Sequence, residues 1–224
     1  MVWKYICWKE TLCREEEPVV ELEFSVPLPV EQGRAEKRMG RYHARLAAVW
    51  YRRWTGDFYR AACGAWAWAR EGGRPFWPWQ ARLSAELTYE NDRICSLWME
   101  GSERQGREEG RVVRTASTWT RRDGCPLTLG EICSGQRSWR RQALDQVEEG
   151  LRSMRREGVA LWRDAERRAK AQFSPRRFYL TQDGLILYYP MGALGPVGSG
   201  ILTFPLSTGM EHQNLDAYKI PEKV

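Results

Sequence analysis

Two stretches of the chain alternate between apolar and polar side chains. In Val19–Val26 and in Trp79–Tyr89 every second residue is apolar, and the residues between them are mostly charged or hydroxyl-bearing. A period of two is typical of a β-strand with one buried face. Pro27 and Pro29 end the first strand, because proline cannot donate a hydrogen bond to a neighbouring strand.

Two more strands are predicted directly after the second stretch. Asn91-Asp92 is a turn sequence, and both Ile94–Met99 and Arg111–Thr120 have the residue content of strands. Consecutive strands joined in this way form an antiparallel meander. Between them Gly101–Gly110, GSERQGREEG, contains no apolar residue, which predicts a solvated, mobile loop.

A long helix is predicted between the first two strands. From Glu31 to about Arg70 apolar residues recur every three or four positions, as on an amphipathic helix. We expect a break near Thr55-Gly56, since glycine weakens a helix interior. His43 lies beside the apolar stripe, and we predict a structural rather than a catalytic role for it.

A second helical region follows the meander. Thr128 and Glu131 have the Thr-x-x-Glu spacing of a capping box, which predicts the start of a short helix. A longer helix should begin at Ser138 and be interrupted at Gly158. The spacing of apolar residues then predicts a further helix over Val159–Phe173.

The last strands are predicted in Arg177–Leu206. Runs of Phe, Tyr, Leu and Ile flank Asp183-Gly184, a dipeptide suited to the positive φ angles of a tight hairpin. A Gly/Pro-rich loop over Pro190–Gly200 leads to a final strand, Ile201–Leu206. We expect this hairpin to complete the sheet of the meander.

These patterns predict an α+β fold. An antiparallel β-sheet, made of a meander plus a C-terminal hairpin, would pack against a long N-terminal helix and further helices. We expect an N-terminal extension at residues 1–17, a single α+β domain at residues 18–206 and a C-terminal tail at residues 207–224.

The composition is that of a soluble globular protein. Of 224 residues, 42% are hydrophobic and 29% are charged. Charged residues interrupt the first twenty positions, so no signal-peptide core is evident, and no run approaches the roughly 18 apolar residues of a membrane span. As written, the chain is expected to be cytoplasmic, and an extracytoplasmic location would require an upstream segment.

The cysteines and histidines do not predict a metal site. The six cysteines match no usual zinc spacing, and the chain has only two histidines. In an exported protein Cys7 could form a disulfide with Cys13, and Cys125 with Cys133.

No set of residues predicts an enzyme. There is no GxxxxGK[ST] motif, and no GxGxxG motif lies between a strand and a helix. Neither histidine is well placed for a rigid, buried base. Neighbouring carboxylates such as Glu108-Glu109 and Glu148-Glu149 are expected at the surface. We therefore predict no catalytic residue and no cofactor, with an unrecognised enzyme as the third hypothesis.

The net charge of +6 comes from one region. Arg137–Arg177 holds 12 Lys and Arg against 6 Asp and Glu, whereas the rest of the chain is balanced at 23 against 23. A charge run on a helix is most often a solvated face. The alternative hypothesis is binding of nucleic acid or another anionic surface. Its candidate contact residues are Arg155, Arg156, Arg167 and Arg168.

Four tryptophans lie where their rings could remain accessible. Trp77 and Trp79 flank Pro78 on a short extended segment, and exposed aromatic side chains supply binding energy at many interfaces. Trp3 and Trp8 either belong to such an interface or form part of an added edge strand.

Three segments occur in the order found in one protein family. They are RTASTWTRRDGCPLTLGEI at Arg114–Ile132, FYLTQDGLILYYP at Phe178–Pro190 and ILTFPL at Ile201–Leu206. Over Pro18–Leu206 the chain resembles the domain of unknown function 3298 (DUF3298), which forms the C-terminal part of RsiV-type anti-sigma factors.

The resemblance implies an α+β fold with an antiparallel sheet and no catalytic residues. In the best understood members it also implies recognition of lysozyme outside the cell. The chain departs from the family at Gly101–Gly110, which lacks the family's Gly-Gly-Ala-His-like element. It also lacks the membrane helix and sigma-binding segment of the lysozyme sensors.

The favoured hypothesis is a non-catalytic binding or sensing module that recognises a protein partner through its loops. Lysozyme enters as a partner only through the resemblance, and nucleic acid is not the favoured partner. The loops at Gly101–Gly110 and Pro190–Gly200 are the predicted contact surfaces. The candidate partner-binding residues are Arg104, Arg107, Trp77, Trp79, Tyr189 and Met191.

Overall fold

The computed structural model describes residues 2–30, 33–133 and 138–207. The chain divides into two compact units, each made of two stretches. The first unit is Met1–Glu86 with Met99–Arg114, and the second is Leu87–Trp98 with Thr115–Val224. Apart from Ser207, the predicted tail lies outside the described residues. The expectation of a single domain over residues 18–206 stays a prediction.

The fold is α+β, as predicted. In the described ranges the strands are β1 (Trp3–Arg14), β2 (Glu17–Pro29), β3 (Trp79–Glu90), β4 (Ile94–Arg104), β5 (Arg111–Thr120), β6 (Pro126–Leu127), β7 (Phe178–Thr181), β8 (Gly184–Tyr189) and β9 (Leu202–Leu206). The α-helices are α1 (Arg34–Arg53), α2 (Tyr59–Glu71), α3 (Leu129–Ile132), α4 (Trp139–Arg156) and α5 (Ala165–Ala171).

The strands form two sheets rather than one. Strands β1 to β6 form a six-stranded sheet in chain order, which contains the predicted meander β3–β5. Strands β7, β8 and β9 form a separate three-stranded sheet. The expectation that the C-terminal hairpin completes the meander's sheet was therefore wrong, because β7 to β9 hydrogen-bond only with one another as strands.

The N-terminal residues form the edge of the large sheet. Strand β1 pairs antiparallel with β2, from Trp3 opposite Pro29 to Arg14 opposite Glu17. Trp3 and Trp8 thus belong to an added edge strand. Strand β2 in turn pairs parallel with β3, because the long helical connection between them carries the chain back to the start of the sheet.

The long helix is widened where a break was expected. Between α1 and α2, Trp54–Phe58 has π-helical geometry, and the helix continues without interruption. The Trp54 side chain is fully buried. Its ring lies 5.1 Å from that of Phe24, and its Nε1 donates a hydrogen bond of 2.9 Å to Glu103.

The segment Gly101–Gly110 is only partly a loop, which corrects the prediction. Strand β4 continues through Arg104, and the loop is confined to residues 105–110. Within this extension Gly101 lies against the Trp50 ring, which a Cβ atom would approach to 2.5 Å, so a larger side chain would not fit there. An ion pair of 2.7 Å between Arg114 and Glu100 also joins β5 to β4.

In the second unit the predicted capping box is present at the start of α3. The Thr128 hydroxyl accepts from the Glu131 backbone, and the Glu131 carboxylate accepts from the Thr128 backbone N–H at 2.7 Å. The helix predicted over Val159–Phe173 is restricted to α5. Gly158 has a φ of +82°, which ends α4, and the chain then runs without helix to Asp164.

The C-terminal hairpin turns one residue earlier than expected. Thr181 pairs with Gly184, so Gln182-Asp183 forms the two-residue turn. Among the described residues of this turn and its flanks, only Gly184 has a positive φ, at +133°. The glycine therefore begins β8 rather than sharing the centre of the turn with Asp183.

A buried hydroxyl network joins the small sheet to β4 and β5 within the second unit. The backbone N–H of Leu180 donates to the Ser96 hydroxyl at 2.9 Å, and that hydroxyl also bonds with Thr118 Oγ1 at 2.8 Å. The Ala116 backbone N–H donates to the Tyr188 hydroxyl at 3.1 Å. No strand pairing connects the two sheets among the described residues, so these bonds attach the small sheet through side chains.

The Ser96→Ala variant should lower the free energy of unfolding by about 2 kcal/mol, because the buried N–H of Leu180 loses its acceptor. Urea denaturation measures this change. Ser102→Ala is the matched control, since its half-buried hydroxyl makes a long, solvent-exposed hydrogen bond of 3.4 Å to the Arg82 carbonyl. Equal effects of both substitutions would contradict the assigned role of Ser96.

Candidate functional site

Two predicted contact residues, Trp77 and Arg107, lie together in the first unit. The Arg107 guanidinium is 3.9 Å from the centre of the Trp77 ring, within the range of a cation–π interaction. The Trp77 side chain is 39% exposed. Gly106, whose φ of +58° favours glycine, turns the loop at residues 105–110 so that it lies beside Trp77.

A second pair of the same kind lies at the other end of the α2–β3 connection. Trp68, in the last turn of α2, is 63% exposed, and the Arg74 guanidinium stacks over its ring. Gly73, with a φ of +61°, turns the chain so that Arg74 lies back on the helix end. We call Trp68, Arg74, Trp77 and Arg107 the arginine–tryptophan surface.

Trp79 and Arg104 lie on opposite faces of the sheet. The Trp79 ring packs on Phe58 at 5.1 Å, on the helix side. On the other side, Arg104 donates to the Gln80 amide oxygen, and the Gln80 amide nitrogen donates to Glu21 at 3.0 Å. Arg104 is therefore part of a polar row across three strands rather than of the arginine–tryptophan surface.

This polar row borders an open cleft of about 640 Å³. Three more of its charged groups form ion pairs: Glu23 lies 3.5 Å from Lys9 and 3.7 Å from Arg82. Exposed pairs of this kind contribute little to stability and leave no carboxylate held in an apolar setting. The cleft therefore has the character of a solvated sheet face.

A smaller cleft of about 220 Å³ lies beside the π-helical segment. It is lined by Asp57 and Glu108 among other carboxylates, and by Arg53. Arg53 forms a bidentate salt bridge with Glu103, in which one hydrogen bond is 2.8 Å long. Within residues 2–30, 33–133 and 138–207, no group of three or more His, Cys, Asp or Glu side chains is arranged to hold a metal ion.

The two C-terminal candidates differ in accessibility. Tyr189 is 1% exposed, and its hydroxyl donates to the Ala169 carbonyl at 2.9 Å. Burial raises its pKa far above the usual range. Tyr189 is thus a core residue that presents no surface to a partner, whereas Met191, two residues further on, is half-buried at the start of the loop.

The four arginines of the anionic-surface alternative all pair with carboxylates of the same region. Arg155 bonds with Glu166, Arg156 lies 3.6 Å from Glu149, and Arg167 and Arg168 both bond with Asp164. These two hydrogen bonds lower the pKa of Asp164 to about 2. The pairing reduces the positive potential that an anionic partner would meet.

Comparison with known proteins gives a fold but no sequence match. No protein-family model matches the chain, and no curated protein matches it. A DUF3298 family member from Bacteroides fragilis superposes with a TM-score of 0.68 at 14% identity, covering 97% of this chain and 92% of that one. A DUF3298 family protein from Pseudomonas aeruginosa gives a TM-score of 0.60 at 16% identity, covering 98% and 94%. The chain has the DUF3298 fold.

In the DUF3298 fold of this chain, no disulfide joins the cysteines, all of which lie in the described residues. All six are free thiols. Cys7 and Cys13 lie on the same strand, β1, where six residues span roughly 20 Å, and a disulfide needs Cα atoms within about 7 Å. A Cys7–Cys13 disulfide, considered above for an exported protein, cannot form in this fold. Burial raises the pKa of Cys133 to about 11, which makes its thiol unreactive at neutral pH.

Sequence reasoning missed Trp68 and Arg74. The sequence contained the signal, because Trp68 follows Trp66 by two positions. Side chains two positions apart on a helix point in nearly opposite directions. If Trp66 belongs to the apolar stripe, Trp68 must lie outside it.

None of the described helices is long and apolar enough to cross a membrane.

Proposed function

We propose that this protein is a non-catalytic binding module of the DUF3298 family that recognises a protein partner through the arginine–tryptophan surface. The observation that carries the proposal is the presence of two exposed indole rings, each covered by a guanidinium group, at the two ends of one connection. Tryptophan and arginine are the residue types that most often dominate binding energy at protein interfaces.

The stacking also favours binding for an entropic reason. A guanidinium held on an indole ring has lost part of its rotamer freedom before the partner arrives, so less entropy is lost on association. The Arg74 guanidinium donates a 3.3 Å hydrogen bond to the Trp68 carbonyl, and the remaining N–H groups of the stacked arginines suit planar hydrogen bonding to carboxylates. The expected partner surface therefore combines a flat apolar area with carboxylate groups.

The resemblance to RsiV-type anti-sigma factors supports one specific candidate, lysozyme, which we treat as a separate bait. A non-catalytic role is supported by the ionisable groups of the two polar clefts, several of which are engaged in ion pairs with one another. The fold alone does not assign a partner, because one fold can carry many functions.

The test compares three forms of the full chain as immobilised bait, against cell extract and, separately, purified lysozyme. One form is unaltered and one carries Trp77→Ala with Arg107→Ala. The third carries Trp162→Ala with Arg168→Ala, a matched control because Trp162 is also 39% exposed and has an arginine 5.7 Å from its ring.

We expect the unaltered chain and the control to retain the same protein, and the Trp77/Arg107 variant to bind it about 30-fold more weakly or worse. Equal affinity of all three forms would place the interface elsewhere. Retention of no protein at micromolar concentration would count against a binding module.

A further inference from the structure

An apolar cavity of about 460 Å³ opens between strand β1 and helix α1 in the first unit. Its helical wall consists of Ala44, Ala47, Ala48 and Tyr51, which have the i, i+3, i+4 and i+7 spacing of a single helix face. Ala44 and Ala48 are exposed. Small side chains at these positions leave space beside the sheet that longer ones would fill.

The opposite wall comes from the sheet. Ile6 and Trp8 on β1, with Val26 and Leu28 on β2, face the alanine row. The Trp8 ring stacks parallel on that of Phe24 at 4.3 Å between ring centres, which holds it as a flat wall. A volume of this size is within the range of pockets that bind small molecules.

One end of the cavity is negatively charged. Of the described residues that line it, Glu10 alone carries a charge, and its Oε1 accepts a 3.4 Å hydrogen bond from the Tyr51 hydroxyl. The negative charge of Glu10 raises the pKa of that hydroxyl. Lys9, the next residue on β1, lies on the other face of the sheet with Glu23.

We propose that this cavity binds a small organic cation. Its apolar body would lie on the alanine row against Trp8, and its ammonium group would lie beside the Glu10 carboxylate and the faces of Trp8 and Tyr51. A cation gains from both the carboxylate and the aromatic rings, whereas an anion of the same shape meets the charge of Glu10. The site shares no residue with the arginine–tryptophan surface, so the two proposals stand separately.

The test uses three probes with the same eight-carbon chain, namely octylammonium, 1-octanol and octanoate, titrated calorimetrically into the full chain at pH 7. We expect octylammonium to bind with a Kd of about 0.1–1 mM, as the size of the ligand allows. Octanol should bind more weakly and octanoate at least 10-fold more weakly than octylammonium. Equal affinity for octanoate, or binding of none of the probes, would overturn the proposal.

Two variants, each with a matched control, connect the binding to this cavity. Glu10→Gln should remove the preference for octylammonium over octanol, and Lys9→Gln on the opposite face of β1 should retain it. Ala48→Phe, at an exposed position, should fill the cavity and abolish binding of all three probes, while the exposed Ala61→Phe on α2 should bind them normally. Unchanged binding by Ala48→Phe would show that the probes bind elsewhere and would refute the site.

Discussion

Lowering the pH from 7 to 4 should reduce the free energy of unfolding by about 3 kcal/mol through His43 alone. The His43 side chain is fully buried on the inner face of α1. The rings of Trp3 and Tyr42 lie 6.0 and 5.3 Å from its own. Burial lowers its pKa from 6.5 to about 4, because the apolar surroundings disfavour the imidazolium ion.

The direction of the pH effect follows from this lowered pKa. Between pH 6.5 and 4 the unfolded chain binds a proton at His43 that the folded chain does not bind. The contribution of His43 is therefore fully present above pH 6.5 and is lost progressively as the pH falls towards 4. The chain should thus unfold at a higher pH during acidification than protonation of its carboxylates alone would cause.

Urea denaturation of the unaltered chain and of His43→Leu at several pH values between 7.5 and 4 measures this contribution. Leucine is similar in volume and does not titrate, so the difference between the two stability curves isolates His43 from the carboxylates. We expect that difference to change by about 3 kcal/mol across the range. Parallel curves would contradict a lowered pKa, whatever the absolute stability of the variant.

The Gly195→Ala variant should be destabilised by about 3 kcal/mol. A Cβ atom at Gly195 would overlap the backbone carbonyl oxygen of Ala160 and lie 3.1 Å from Ser199 Oγ. The carbonyl cannot move away without cost, because it accepts a 2.7 Å hydrogen bond from the Ser199 hydroxyl. The neighbouring Trp162 N–H also donates to the Leu194 carbonyl at 2.8 Å.

Thermal and urea unfolding of Gly195→Ala should be compared with Gly64→Ala. Gly64 is an exposed position of α2 where a Cβ atom meets nothing within 4 Å. Alanine there should stabilise the chain by about 0.5–1 kcal/mol, because it is the better helix former. The two Gly→Ala substitutions are thus expected to change the free energy of unfolding in opposite directions. A neutral effect at Gly195 would mean that the loop can shift away from Ala160.

The sequence predicted those helices and strands that bury one face, because burial of one face sets the spacing of their apolar residues. Strand β5 begins and ends where its pattern indicated, and the capping box at Thr128 is in place. The predicted ends of elements were wrong where the end involves a contact with a residue far away in the sequence. Gly101 to Arg104 contain no apolar residue, yet they extend β4, and Gly101 packs there against the Trp50 ring. The spacing of residues along the chain holds no information about that contact.

The separation of the strands into two sheets likewise could not be predicted from the sequence. Hairpin β7–β8 has the composition of a strand pair, but its attachment to β4 depends on the hydroxyl of Ser96, which looks like any polar residue of an alternating strand. At the candidate site, the sequence predicts Trp77 and Arg107 as contact residues, and it also predicts Tyr189, which the structure buries. Tyr189 closes an almost wholly apolar run, and such a run indicates burial on both faces.

The π-helical turn at Trp54–Phe58 has a consequence for the history of the chain. Each residue of an α-helix advances the side chain by about 100°, so an uninterrupted α-helix would rotate Phe58, Ala62 and Trp66 away from the face that holds Met39 and His43. The wide turn absorbs one residue, and the buried positions of α2 stay aligned with those of α1. The turn has the form of a single-residue insertion. A relative one residue shorter between Arg53 and Tyr59 would be expected to have a regular helix there, with the same side chains facing the sheet.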